Sequence, residues 1–199
     1  MPDNSQKPKS PSASISTSTE KHRAQSPQVV RCFVLTVSDT RTLETDQGGA
    51  LIVSLLERAG HIVIGRELVS DTTVAIESTV RAAVYHRDEP EVIIVTGGSG
   101  IGPRDVTPEA LKGLLTKELP GFGEVFRMLS WQEIGAATML SRAFAGVLGR
   151  TLLFALPGSP NAIQLAMDKL IIPELGHLVH EARPERSRLE VSKSTTITP

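Results

Sequence analysis

The stretch Glu91 to Ala110, EVIIVTGGSGIGPRDVTPEA, restricts the fold more than any other part of the chain. Val92 to Val95 is too short for a lone helix and every residue in it is β-branched, which predicts a strand buried on both faces, as inside a parallel sheet. Gly97, Gly98, Gly100 and Gly102 follow at once. Glycines accept positive φ and let another group approach the main chain closely, so several amide N–H groups can point into one concavity suited to an anion. Asp105 then supplies a carboxylate. Thr107, Pro108 and Glu109 read as the N-cap, first-turn proline and first-turn acid of a helix.

The same rhythm runs along the chain. Val29 to Val37 predicts a first strand with Ser38-Asp39-Thr40 at its carboxyl end, where open α/β sheets place ligands. Asp46-Gln47-Gly48-Gly49 precedes an amphipathic helix with Leu51, Leu55, Leu56 and Ala59 on one face, ended by Gly60. His61 to Val69 predicts a second strand, and Ser70 to Thr73 opens a helix reaching about His86. Beyond the glycine loop, Leu111, Leu114 and Leu115 repeat at helical spacing up to Pro120. Gly121 to Glu124 interrupts, Val125, Phe126, Leu129 and Trp131 resume an apolar run, and a small-residue stretch covers Gly135 to Ala145. Thr151 to Leu156 predicts another strand, after which Ser159 caps a helix begun by Pro160; Pro173 breaks or kinks that helix. Strands alternating with helices predict a three-layer α/β fold, a mainly parallel sheet with helices on both faces. One domain is expected over residues 29–181. The Ser-, Thr-, Pro- and Lys-rich residues 1–28 and the polar residues 182–199 cannot bury enough apolar surface to order themselves, and are expected to be tails.

Charge and composition exclude several functions. A net charge of −1 and an aromatic fraction of 4% provide neither a basic footprint nor stacking platforms for nucleic acid. Cys32, the single cysteine, lies in the apolar run VVRCFVLTV and reads as a buried thiol, so a disulfide framework is excluded. No apolar segment approaches the roughly 20 residues that span a bilayer, and no hydrophobic signal follows Met1. No membrane partner and a cytoplasmic location are expected.

The glycine loop is not one of the common phosphate binders. A P-loop requires Gly-Lys-Ser/Thr where this chain has Pro103-Arg104-Asp105, the dinucleotide fingerprint requires glycine where Pro103 stands, and a hydrolase elbow requires glycine at Ile101. Asp39, Asp46, Asp71 and Asp105 each adjoin a predicted strand end, so in a parallel sheet they line one edge. There they can hold a hard cation with a phosphate opposite. Asp39 and Asp71 can equally cap turns or helices, and Asp71 is read that way. Asp46 and Asp105, beside glycine-rich backbone, are the candidate magnesium ligands. His61, His86, His177 and His180 have no grouped acids or cysteines and read as ordinary surface histidines.

Taken together, Val37-Ser38-Asp39, Asp46-Gln47-Gly48, Thr96 to Gly100, Arg104 to Ala110, Gly121 to Glu124, Leu140-Ser141-Arg142 and Leu156 to Pro160 resemble the MoaB and MogA family of molybdenum cofactor biosynthesis proteins. The resemblance covers about Val29 to His180. It implies a molybdopterin-binding α/β fold and, in active members, transfer of AMP from Mg-ATP to the terminal phosphate of molybdopterin. Asp46 and Asp105 then serve as catalytic and Mg²⁺-binding residues. Ser38, Asp39, Gly97, Gly98, Ser99 and Gly100 contact the ligands, with Ser141, Pro157, Gly158 and Ser159 on the pterin side. The segment Gly121 to Gly135 is similar to the MoaB branch, which includes members that bind molybdopterin without adenylylating it; RDVTPEA is similar to active MogA and gephyrin sequences. The resemblance also implies a homotrimer or homohexamer, with Ala136 to Val147 as an interface candidate, and partners among other molybdenum cofactor biosynthesis proteins.

Overall fold

The computed structural model describes residues 26–85 and 89–183. Most of the expected amino-terminal tail, residues 184–199 and the expected helix end at His86 lie outside them. The strands are β1 (Arg31–Val37), β2 (Ile62–Val69), β3 (Val92–Thr96), β4 (Lys117–Glu118), β5 (Phe144–Leu148) and β6 (Thr151–Leu156). They form one sheet in the order β2-β1-β3-β6-β5-β4. Strands β2, β1, β3 and β6 run parallel, whereas β5 pairs antiparallel with β6 and β4 antiparallel with β5. The helices are α1 (Gln47–Arg58), α2 (Thr73–Val84), α3 (Thr107–Leu111), α4 (Pro120–Ile134), α5 (Pro160–Ala166) and α6 (Ile172–Ala182).

Side chains alternate across a strand, so β1 divides its apolar residues between two cores. Cys32 and Val34 pack with Ile94, Phe154, Ile52 and Leu56 of α1, Phe126 of α4, Ile163 of α5 and Leu175 of α6. Phe33, Leu35 and Val37 face the other way, with Ile93, Val95, Leu153, Ile76 and Val80 of α2, and Leu111 of α3. Because β3 is covered on both faces, all five of its residues are buried. The expected three-layer arrangement is present, with an antiparallel margin that the apolar patterning did not reveal. Burial pushes the Cys32 thiol up to about 12, which keeps it protonated and inert.

Several elements differ from the sequence reading. Gly121 and Gly123 do not interrupt a helix. Pro120 opens α4 at its first turn, and a Cβ at Gly123 would stand 2.8 Å from Ala143 O, so this glycine lets α4 lie close to the chain entering β5. The small-residue stretch Gly135 to Ala145, to which the sequence reading gave no secondary structure, holds a 3₁₀ turn (Gly135–Leu140) and the start of strand β5. Thr107 caps no helix: Val106 is the N-cap residue, and the Thr107 hydroxyl instead donates to Gly97 O at 2.9 Å. Pro173 does not break the last helix. Lacking an N–H, it sits in the first turn of α6, and the chain before it widens into one π turn, Met167–Ile171. Ala182 ends α6, and Arg183 is buried, its Nη2 donating to Pro90 O at 3.0 Å, so these two residues belong to the folded body.

Phe154 is 1% exposed and meets Phe122 edge-on at 5.2 Å between ring centroids. Phe154→Ala is expected to cost about 3–5 kcal/mol, seen as a lower urea midpoint with an unchanged slope.

Candidate functional site

Register decides where the carboxyl ends of the parallel strands meet. Thr36 of β1 is level with Thr96 of β3, and Thr96 with Leu156 of β6. The three following loops, beginning at Ser38, Gly97 and Pro157, therefore open onto the same edge, at the point where strand order departs from sequence order. A cavity of about 700 Å³ lies there.

Gly97 and Gly98 have φ of +98° and +60°, and a Cβ at Gly97 would run into Val37 O. No other residue type fits that position without moving β1. Gly98 O accepts from Thr107 N at 2.9 Å, so the turn is tied to the start of α3. Among the described residues, the amides of Gly98, Ser99 and Gly100 donate to no protein acceptor, although all three residues line the cavity. Backbone donors without a partner beside an open cavity are a seat for an anionic group.

Ser38, Gly97, Gly98, Ser99, Gly100, Asp105, Ser141, Pro157, Gly158 and Ser159 all line this cavity. Asp39 stands behind the lining: its N–H donates to Asp71 Oδ2 at 2.8 Å, Asp71 N–H returns the bond to Asp39 Oδ1 at 3.0 Å, and Arg104 Nη1 reaches Asp39 Oδ2 at 3.4 Å. Helix α4 and the 3₁₀ turn add Phe126, Ser130, Ile134, Ala137 and Leu140 to the lining, mostly apolar groups. A lining that combines polar loops with apolar side chains suits a heterocycle carrying phosphate.

Asp46 is placed elsewhere. It is the N-cap residue of α1, its side chain is fully buried, and both oxygens are engaged: Oδ1 accepts from Gly49 N at 3.0 Å, and Oδ2 from Thr36 Oγ1 at 2.6 Å and Arg66 Nη2 at 2.9 Å. Burial pushes the Asp46 pKa up, but the Gly49 amide, the Thr36 hydroxyl and the Arg66 guanidinium outweigh it and hold it below the ordinary carboxylate value. Asp46 does not line the cavity, so the structure does not gather it with Asp105 there.

The carboxylate beside Asp105 on the cavity wall is Asp71, which the sequence reading took for a cap. Thr72 performs the capping, its hydroxyl accepting from Ala75 N at 3.3 Å. Burial raises the Asp71 pKa, and the charges of Asp39 and Asp105 add to this against the opposing Asp39 N–H and Arg104. The available signal was its place at the end of β2, on the same sheet edge. Arg41 also lines the cavity, with Nη1 3.8 Å from Asp46 Oδ1.

Residues 33–177 match the family model described as "Probable molybdopterin binding domain". The chain belongs to that family. It is 50% identical over 170 residues to molybdenum cofactor biosynthesis protein B of Bacillus subtilis (strain 168), covering 85% of this chain and 99% of that protein. A crystal structure of a molybdenum cofactor biosynthesis protein B superposes with a TM-score of 0.77 at 50% identity, over 79% of this chain and 98% of the other. The tungsten cofactor synthesizing protein MoaB of Pyrococcus furiosus gives 0.71 at 35% identity, over 79% and 99%. In this domain, then, the glycine turn and the 157–159 loop lie side by side at the cavity, a Cβ at Gly158 coming 3.4 Å from Gly97 Cα, and Asp105 follows the turn before α3.

Asp46→Ala leaves Arg66 and the amino end of α1 without their counterpart. A loss of about 3 kcal/mol is expected, or roughly 10 °C in Tm. Because the Asp46 pKa is lowered on folding, the gap between wild type and variant is full above about pH 4 and closes as pH falls below it, read by melts across pH.

Proposed function

We propose that the chain acts in molybdenum cofactor biosynthesis by binding molybdopterin and transferring AMP to it from Mg-ATP. The observation that carries this reading is the row of amides at Gly98, Ser99 and Gly100, without acceptors among the described residues, in a cavity that Asp71, Asp105 and apolar side chains of α4 also line. In such a transfer a terminal phosphate oxygen of molybdopterin attacks the α-phosphorus of ATP, the bond to the bridging oxygen breaks, and pyrophosphate leaves. Catalysis of this kind rests on alignment and charge neutralisation, with no protein nucleophile required.

The donor set suits Mg²⁺. Asp71 and Asp105 both line the cavity, and hard oxygen ligands with substrate phosphates and water completing the shell are what magnesium takes. Among the described residues no group of three or more His, Cys, Asp or Glu side chains could hold a metal ion, so the protein offers only part of the shell. Asp105 and Asp71 would hold the cation; Asp46, engaged with Arg66, would act by fixing α1 and the 38–46 loop. Bound there, Mg²⁺ would neutralise phosphate charge. The amides of Gly98 to Gly100 would hold phosphate oxygens, Ser38 would donate a hydroxyl, and the loop Pro157 to Ser159 with Ser141 would border the pterin.

A second reading, binding of molybdopterin without AMP transfer, is favoured by one observation: only one of the two acids expected to hold the metal is on the cavity wall. Incubation with molybdopterin, Mg²⁺ and ATP separates the two. Adenylylated product with pyrophosphate supports transfer, whereas saturable binding without product supports the carrier. Asp105→Asn is expected to fold normally and lower AMP transfer by about 10²–10³-fold, with Asp71→Asn also impaired. Unchanged turnover in Asp105→Asn would remove Asp105 from the mechanism.

Self-association belongs to the same proposal. The outer face of α4 and the turn after it expose Met128, Trp131, Ile134, Met139 and Leu140, four of them by 52–59% and Met139 by 78%. Further copies of this chain would cover that face, as a homotrimer or homohexamer. The interface candidate narrows accordingly, since Ala143 to Ala145 lie in the core. Light scattering should give a trimer or hexamer for the wild-type chain and a monomer for Trp131→Glu.

A further inference from the structure

Arg142 lies outside the cavity, in the short link between the 3₁₀ turn and β5, yet it touches the glycine loop at several points. Its Nε donates to Gly100 O at 2.7 Å and its Nη2 to Asp105 O at 2.6 Å, while Nη1 pairs with the Glu109 carboxylate at the start of α3. Its own N–H donates to Ser99 O at 3.3 Å. The segment between these points, Ile101 to Arg104, is exposed, and Arg104 pairs with Asp39 at 3.4 Å.

Inside the loop, Asp105 Oδ2 accepts from Gly102 N at 2.7 Å, and a Cβ at Gly100 or Gly102 would come within 2.8 Å of that oxygen. The carboxylate is thus held in a narrow glycine ring. A glycine-rich segment loses much conformational freedom on ordering, so this ring needs an external clamp. A guanidinium is suited to the task because its planar fork meets two carbonyls and a carboxylate at once; an ammonium has the charge without the fork. The Glu109 pairing lowers that acid's pKa, its hydrogen bond to Arg142 being the largest cause, so the pair stays charged at neutral pH.

We propose that Arg142 is a positioning residue: clamped by Glu109, it sets the Asp105 carboxylate and the Ser99–Gly100 backbone at the geometry the cavity needs. Arg142 does not line the cavity. The inference rests on the adenylyl-transfer reading for its kinetic consequences, but its structural claim concerns the unliganded loop.

The test compares wild type with Arg142→Ala, Arg142→Lys and Glu109→Gln by steady-state AMP transfer and by amide hydrogen exchange of peptides spanning 97–106 without ligand. For Arg142→Ala, kcat is expected to fall about 100-fold with KM for ATP changed only a few-fold, a cost typical of small misplacement. Exchange should quicken in 97–106 while the sheet stays protected. Arg142→Lys should fail to restore either readout, and Glu109→Gln should show a smaller form of both. Normal kcat, a KM effect alone, or full rescue by lysine would overturn the proposal. If wild-type protein makes no adenylylated product, the transfer reading has failed, and exchange alone decides: unchanged protection of 97–106 in Arg142→Ala or, should that variant not fold, in Arg142→Lys, overturns the positioning role.

Discussion

The site depends on the alignment of three parallel strand ends. Thr36, Thr96 and Leu156 stand level, so the loops that leave β1, β3 and β6 emerge side by side. Slipping one strand by a residue would send each of its side chains to the opposite face, and because β3 is buried on both faces every one of them would have to repack in a core shaped for another residue. The hydrophobic effect therefore fixes the position of polar loops that contribute little to stability themselves.

Polar contacts then hold the loops in shape. Thr36 and Thr96, the two polar residues near those strand ends, are buried and spend their hydroxyls on Asp46 and on Pro157 O. The first anchors the amino end of α1 and the second anchors the loop before α5. Thr107 does the same for Gly97, and Arg142 for the far side of the glycine loop. Threonine at a strand end offers a β-branched stem for the core and a hydroxyl for the rim. These contacts leave the amides of Gly98 to Gly100 without acceptors among the described residues, and a ligand can use them.

Two acids that look alike in the sequence serve different purposes. Asp46 and Asp71 both follow strands and both precede helices. Asp46 meets an arginine, a hydroxyl and an amide, which lower its pKa and commit it to the framework. Asp71 meets the charges of Asp39 and Asp105, which help raise its pKa and leave its carboxylate at the cavity. Arg66, 20 residues from Asp46 on β2, made that difference. No local pattern around Asp46 reveals it.

The fold was legible because apolar patterning and capping are local properties: β1, β3 and β6 read directly from short apolar runs, α1 from Leu51 to Ala59 and α2 from the cap at Ser70 to Thr73. The glycine turn was legible too, since only glycine tolerates φ of +98° at position 97 against Val37 O. What escaped was non-local. Strand β5 is short and half made of small residues, and becomes a strand because β6 offers its edge. Gly123 belongs inside a helix because Ala143 leaves room only for a glycine beside it. By itself, the sequence determined which segments are buried, where the chain must turn tightly and which ends carry acids. Tertiary structure alone decided which acid meets a cation of the protein and which is left for a ligand, because the pKa and availability of a carboxylate depend on partners brought close only by folding.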